Sequence, residues 1–162
     1  EDFRSAVSVL PQAGLEDSAQ ALCQALEGAS EQREDYWKNR AQPFWKQVWP
    51  KSRELATPKI SESLARLAIA ARSEFPAALT AVLDLLQPIE HSDYVIHRLH
   101  ESALCRRFPA EALSLLSAVI ANQHWAGNEL GQCLDDIVET APQLVKDVHY
   151  LRIREYSRRR GQ

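Results

Sequence analysis

The sequence has few of the features that β-sheet proteins need. Its 162 residues include only five glycines, and valine, isoleucine and threonine never form alternating runs. Strands depend on alternating runs of β-branched residues, and the tight turns between them depend on glycine, so we predict an all-α fold. Apolar residues make up 45% of the chain and charged residues 25%, which is typical of a folded globular protein. The length fits one domain over residues 1–162.

Cysteine and long apolar runs are also scarce. The three cysteines, Cys23, Cys105 and Cys133, are odd in number, far apart and set in apolar patterns. This predicts reduced, buried thiols in a cytoplasmic protein rather than a disulfide framework. No stretch has the apolar length of a membrane span, and the acidic start EDFRSAVSVL is not a signal peptide, so no membrane association is expected. The chain has no methionine, which suggests a fragment of a larger protein.

Sequence motifs of catalysis are missing as well. The chain has no glycine-rich phosphate loop, no Gly-x-Ser-x-Gly elbow and no Cys-x-x-Cys pair. We therefore expect no enzymatic activity, no catalytic residues and no cofactor.

The sequence does contain a repeated ten-residue segment. EFPAALTAVL and RFPAEALSLL begin 33 residues apart, and Pro43, Pro76, Pro109 and Pro142 share that spacing. The first helical turn tolerates proline, because an amide there has no helical partner, so each proline is predicted to open a helix. The apolar stripes that follow the last three prolines are Leu79, Val82, Leu83 and Leu86; Ala112, Leu115, Leu116 and Val119; and Val145 and Val148.

A second helix is predicted between successive prolines. Its candidate N-caps are Thr57, which precedes Pro58, and then Ser92 and Asn128. The predicted apolar faces are Leu64, Leu67, Ala68 and Ala71; Ile96, Leu99, Ala103 and Leu104; and Leu130, Cys133, Leu134 and Ile137. One helix pair cannot bury such faces alone, so neighbouring pairs are expected to stack.

Stacked helix pairs with a proline-opened second helix resemble HEAT-like repeats. The resemblance covers residues 43–157, with 1–42 as divergent N-terminal cap helices and 158–162 as a basic tail. It implies a right-handed α-solenoid of antiparallel helix pairs with a period of about 33 residues. An irregular helical bundle is the alternative. The segments FPAEALSLLSAVI and LDDIVETAP also resemble helical C-terminal regions of large bacterial anti-phage defence proteins, which implies a sensor or scaffold region without its effector.

Two polar clusters have structural interpretations. His97 and His100 share a helical face, as zinc ligands do, but the repeat register places them at packed positions. At least one is therefore predicted to be a packed helix-face histidine, and no metal site is expected. Asp135 and Asp136 are adjacent and do not converge on a helix, whereas Asp135 and Glu139 share a face with no obvious basic or nucleophilic partner, so a solvated helix face is predicted.

Tryptophans and cations are interleaved in the segment REDYWKNRAQPFWKQVWPKSR. Aromatic and cationic side chains of this kind form hot spots in protein interfaces. They also bind nucleic acid, where the aromatic rings stack on bases and the cations contact phosphate. The candidate binding residues here are Trp37, Arg40, Trp45, Lys46 and Trp49. The alternative is that the first proline-opened helix has a core stripe of Phe44, Trp45, Val48 and Trp49, with the cations on its solvated side.

The end of the chain is the second basic segment. Residues 146–162 carry six cations and two carboxylates, a formal charge of +4, in a chain whose net charge is −3. Arg154, Arg158 and Arg159 are candidate contacts with an acidic partner or with nucleic acid. A frayed, solvated helix end is the alternative.

Together these patterns predict a non-catalytic helical-repeat interaction module that binds a protein or a peptide. The alternative is a nucleic-acid-binding HEAT-like domain that uses the tryptophan-rich segment and the arginine-rich tail. The acidic middle of the chain opposes that alternative, because it repels phosphate. Neither the identity of the partner nor the oligomeric state follows from the sequence.

Overall fold

A computed structural model describes residues 57–120 and 129–160, together with separate positions between 17 and 42. Within these residues the regular structure is helical, apart from one isolated parallel bridge between Ile89 and Ile120. The all-α prediction is therefore confirmed. The chain divides into two compact units, and each is described by itself below.

The first unit comprises residues 1–86. Its described elements are α1 (Pro58–Ala70), a 3-10 helix (Arg72–Glu74), α2 (Phe75–Val82) and a second 3-10 helix (Leu83–Leu85). The described positions between 17 and 27 are helical as well.

Helix α1 begins as predicted. The Thr57 hydroxyl accepts a hydrogen bond from the Ile60 amide at 3.2 Å, and Pro58 occupies the first helical position. This arrangement satisfies one of the amide groups that every helix N-terminus leaves without a partner. The four residues of the predicted apolar face of α1 are all buried.

Helix α2 carries Pro76 in its first turn, also as predicted. Leu79, Val82 and Leu86 of its predicted stripe are buried, but Leu83 is 36% exposed. The α-helix changes to a 3-10 helix at Leu83, and a 3-10 helix turns further per residue. The departure of Leu83 from the predicted stripe coincides with this change of helix type, whereas Leu86 beyond it is buried as predicted.

The second unit comprises residues 87–162. Its described elements are α3 (Asp93–Glu101), α4 (Leu104–Arg107), α5 (Pro109–Val119), α6 (Glu129–Thr140), a 3-10 helix (Pro142–Lys146) and α7 (Val148–Arg160). Helix α6 packs against α3, α4, α5 and α7, so it forms the centre of this unit. All four residues of its predicted apolar face are buried, as are the four predicted after Pro109.

The last proline departs from the predicted repeat. Pro142 opens a five-residue 3-10 helix, and the next α-helix begins only at Val148. Val145 and Val148 were expected to be core residues, but they are 44% and 70% exposed, so this prediction is wrong. The extended backbone of Asp147 (ψ 137°) interrupts the helix and resets its phase. Pro43 and Asn128 lie outside the described residues, and the right-handed α-solenoid stays a prediction.

The junction between α3 and α4 also differs from the prediction. Ile96, Leu99 and Leu104 are buried, but Ala103 is exposed. Ala103 adopts a left-handed conformation (φ 55°) just beyond the end of α3, which turns its side chain off the predicted face. Ser92 precedes α3 as expected, although its side chain makes no capping hydrogen bond.

Replacing Ala103 with glycine is expected to stabilise the second unit by about 1 kcal/mol, because glycine adopts the left-handed conformation without steric cost. Urea denaturation followed by circular dichroism measures the change in unfolding free energy. The matched control is Ala81→Gly, an exposed position within α2, which should destabilise by about 0.5–1 kcal/mol. Destabilisation by both substitutions would contradict the prediction.

Candidate interaction surface

Most of the tryptophan-rich binding segment lies outside the described part of the structure. Its candidate residues Trp37, Arg40, Trp45, Lys46 and Trp49 are all in the undescribed part. Within that segment Lys38 is described, and its ammonium group lies 3.3 Å from the Glu74 carboxylate. The binding role of the segment stays a prediction.

The three arginines predicted as partner contacts lie on α7 and differ in their surroundings. Arg154 is 28% exposed and pairs with Asp135 of α6 at 3.0 Å. Arg159 is 76% exposed and pairs with Glu155 one turn earlier at 2.9 Å. Arg158 is exposed, and no ion pair of its side chain is found within the described residues. Arg154 therefore holds α7 against α6, whereas Arg158 faces solvent.

The acidic residues of α6 were expected to have no basic partner, and this expectation is wrong. Arg106 of α4 lies 2.8 Å from Asp136 and 3.7 Å from Glu139. Hydrogen bonding to Asp136 raises the pKa of Arg106 further above its ordinary range. These carboxylates connect α6 to its neighbours.

The two histidines of α3 occupy different environments. His97 is half exposed, and its Nδ1 lies 2.9 Å from a Glu129 carboxylate oxygen, so it is not a core residue. His100 is half-buried beside the buried Leu99, which agrees with the packed-histidine interpretation for that residue alone. Across the described ranges, no group of three or more histidine, cysteine or acidic side chains is placed to hold a metal ion.

The cysteines are free and buried, as predicted. A hydrogen bond with Cys133, together with burial, raises the pKa of the Cys105 thiol well above its ordinary range. A thiol in this state is a poor nucleophile, because the thiolate is the reactive form. Cys105 therefore contributes to the core of the second unit rather than to a reactive site, and Cys133 is buried beside it.

Helix α7 has apolar side chains on two opposite sides. Tyr150 and Ile153 are buried against the unit, whereas Val148 and Leu151 are 70% and 54% exposed. A helix advances about 100° per residue, so residues 148, 151, 155, 158 and 159 share one side. We call this side the α7 outer face; its members are Val148, Leu151, Glu155, Arg158 and Arg159, all exposed.

The equivalent face of the neighbouring helix is polar. The exposed positions of α6 include Gln132, Asp135 and Glu139; its buried residues are all apolar, and Val138 is half-buried. The α7 outer face is thus unlike a typical solvated helix face. Val145, three residues before Val148, adds a further exposed apolar side chain nearby in the chain.

Polar contacts fix α7 in place on α5. The Arg152 guanidinium donates hydrogen bonds to the carbonyl oxygens of Ser117 at 2.9 Å and Ile120 at 3.4 Å, at the C-terminal end of α5. Carbonyl groups at a helix C-terminus lack helical donors and carry partial negative charge, so a guanidinium there is favourable. His149 Nδ1 also lies 2.7 Å from the Ser117 hydroxyl. With the Arg154–Asp135 pair, these contacts anchor α7 on two helices.

Comparison with known proteins gives one informative similarity. The chain is similar to the uncharacterized protein y4cA of Sinorhizobium fredii (strain NBRC 101917 / NGR234), with 27% identity over 132 residues. The alignment covers 78% of this chain and 11% of that relative, so the chain spans about a tenth of the relative's length. No family model matches the sequence. No solved structure matches it either. Among the described helices, none is long and apolar enough to cross a membrane.

Proposed function

We propose that this chain is a non-catalytic helical interaction module that binds a protein or peptide through the α7 outer face. The observation that carries the proposal is the exposure of Val148 and Leu151 on a helix whose opposite side is buried through Tyr150 and Ile153 and which Arg152 and Arg154 bond to α5 and α6. Exposed apolar side chains gain free energy when a partner removes them from water. A rigid helix also loses little conformational entropy on binding.

The same face favours a protein partner over nucleic acid. Its apolar members are aliphatic, whereas single-stranded nucleic acid binds to aromatic side chains on which bases stack. Arg154 is engaged with Asp135, which leaves fewer cations for phosphate contacts. The net charge of −3 adds no long-range attraction for a polyanion. We further propose that the module acts as a scaffold or sensor region of a larger, defence-related bacterial protein. The much greater length of the similar rhizobial protein supports the larger protein.

Selection from a displayed library of helical peptides tests the proposal. We expect enriched peptides to bind the full chain with micromolar affinity in fluorescence anisotropy, and to bind the Val148→Ala/Leu151→Ala variant at least about tenfold more weakly. Alanine favours helix, so the variant should fold, and circular dichroism checks this. The matched control is Gln132→Ala on the exposed side of α6, which should leave binding unchanged.

Two results would contradict the proposal. One is peptide binding that does not depend on Val148 and Leu151. The other is micromolar or tighter binding of a defined 20-mer oligonucleotide at about 150 mM salt, which would favour the nucleic-acid alternative.

A further inference from the structure

The α7 outer face is divided along its length by charge. Val148 and Leu151 occupy its first two turns, and Arg158 and Arg159 occupy its last turns. Ten residues separate Val148 from Arg158, which corresponds to about 15 Å along a helix. A partner that covers this face therefore meets an apolar surface at one end and guanidinium groups at the other.

The acidic residue of this face does not neutralise its cationic end. The Glu155 carboxylate accepts a hydrogen bond from Arg159, whose Nε lies 2.9 Å from Glu155 Oε1. This carboxylate is therefore already paired. Arg158 has no ion pair within the part of the chain that the structure describes. A partner that buried Arg158 without supplying a carboxylate would leave a desolvated charge, which is costly.

From this division we propose that the partner is an amphipathic helical segment. It carries apolar side chains and carboxylates on the same side, two to three turns apart. The inference rests on the proposed function, since it concerns the occupant of the same face. Apolar residues of the segment would pack on Val148 and Leu151. One carboxylate of the segment would pair with Arg158. Another would pair with Arg159, which would also keep its ion pair with Glu155.

A second copy of this chain fits the face less well. If two α7 helices paired in the same direction, the arginines of both copies would face each other. If they paired in opposite directions, Arg158 of one copy would lie over the apolar half of the other. In neither orientation does a free carboxylate of α7 meet Arg158, and like charges or unpaired charges at an interface are costly.

The composition of the selected peptides and a charge reversal together test the inference. We expect enriched peptides to contain more aspartate and glutamate than the starting library. Replacing those carboxylates with the corresponding amides, or Arg158 with glutamate in the protein, should each weaken binding about tenfold. A peptide with lysine at the same positions should bind Arg158→Glu more tightly than the unmodified chain. The control Lys59→Glu makes the same charge change on α1 and should leave binding unchanged.

The outcomes separate this inference from the proposed function. Two results overturn the inference and leave the proposed function intact. One is that the peptides whose binding depends on Val148 and Leu151 are neutral or basic. The other is that Arg158→Glu does not change their binding. Peptides that ignore Val148 and Leu151 overturn both. A concentration-dependent dimer in sedimentation that Leu151→Ala abolishes would make a second copy the occupant. Comparable Arg158-dependent binding to phosphatidylglycerol vesicles or to an oligonucleotide would show a general polyanion surface, and would likewise overturn the inference.

Discussion

Replacing Leu134 with alanine is expected to lower the unfolding free energy of the second unit by about 3 kcal/mol, within a range of about 2–5 kcal/mol. Leu134 is fully buried in α6, the helix that packs against α3, α4, α5 and α7. Truncation removes buried apolar surface and leaves a cavity that four surrounding helices cannot all close. The loss is large compared with the total stability of a domain of this size.

Chemical denaturation followed by circular dichroism measures this change. The matched control is Gln132→Ala on the exposed side of the same helix, which should change the unfolding free energy by less than about 0.5 kcal/mol. Similar small effects of both substitutions would mean that α6 is not the centre of the unit.

Leu134 also illustrates what the sequence predicts well. Its helix repeats apolar residues at positions 130, 133, 134 and 137, a spacing that fits one face of an uninterrupted helix, and all four are buried. The same reasoning fails after Pro142, because the break at Asp147 resets the helical phase. Residue spacing predicts a buried face only within one continuous helix, and nothing in the local pattern indicates that break.

The candidate site was harder to predict from the sequence than the buried helix faces. Ion pairs such as Arg154–Asp135 and Arg106–Asp136 join residues that are distant in the chain, so only the packing of the helices determines them. Arg154 was predicted as a partner contact, and its ion pair with Asp135 could not be predicted from the sequence. The α7 outer face did leave a signal: apolar residues at 148, 150, 151 and 153 are too widely spread around a helix to form one stripe.

In the first unit, Arg66→Met is expected to lower the unfolding free energy by about 2–3 kcal/mol. Two nitrogens of Arg66 contact both carboxylate oxygens of Glu27, at 2.7 and 3.1 Å, and only 15% and 14% of the two side chains are exposed. Removing the guanidinium leaves the Glu27 carboxylate largely buried without its main partner. The Cys23 thiol, at 3.5 Å, is too weak a donor to replace it.

A double-mutant cycle with Glu27→Gln measures this pair directly. We expect the double variant to be destabilised by less than the sum of the single variants, because either single substitution already removes the interaction between these two side chains. The unfolding free energy of Arg66→Lys should lie between those of Arg66→Met and the unmodified chain, since lysine keeps the charge but cannot make the bidentate contact. The control is Glu62→Gln: Glu62 is 37% exposed and 4.0 Å from Arg66, so its loss should cost less than about 0.5 kcal/mol. If the single-variant losses simply add, Arg66 and Glu27, which are 39 positions apart in the sequence, do not act as a pair.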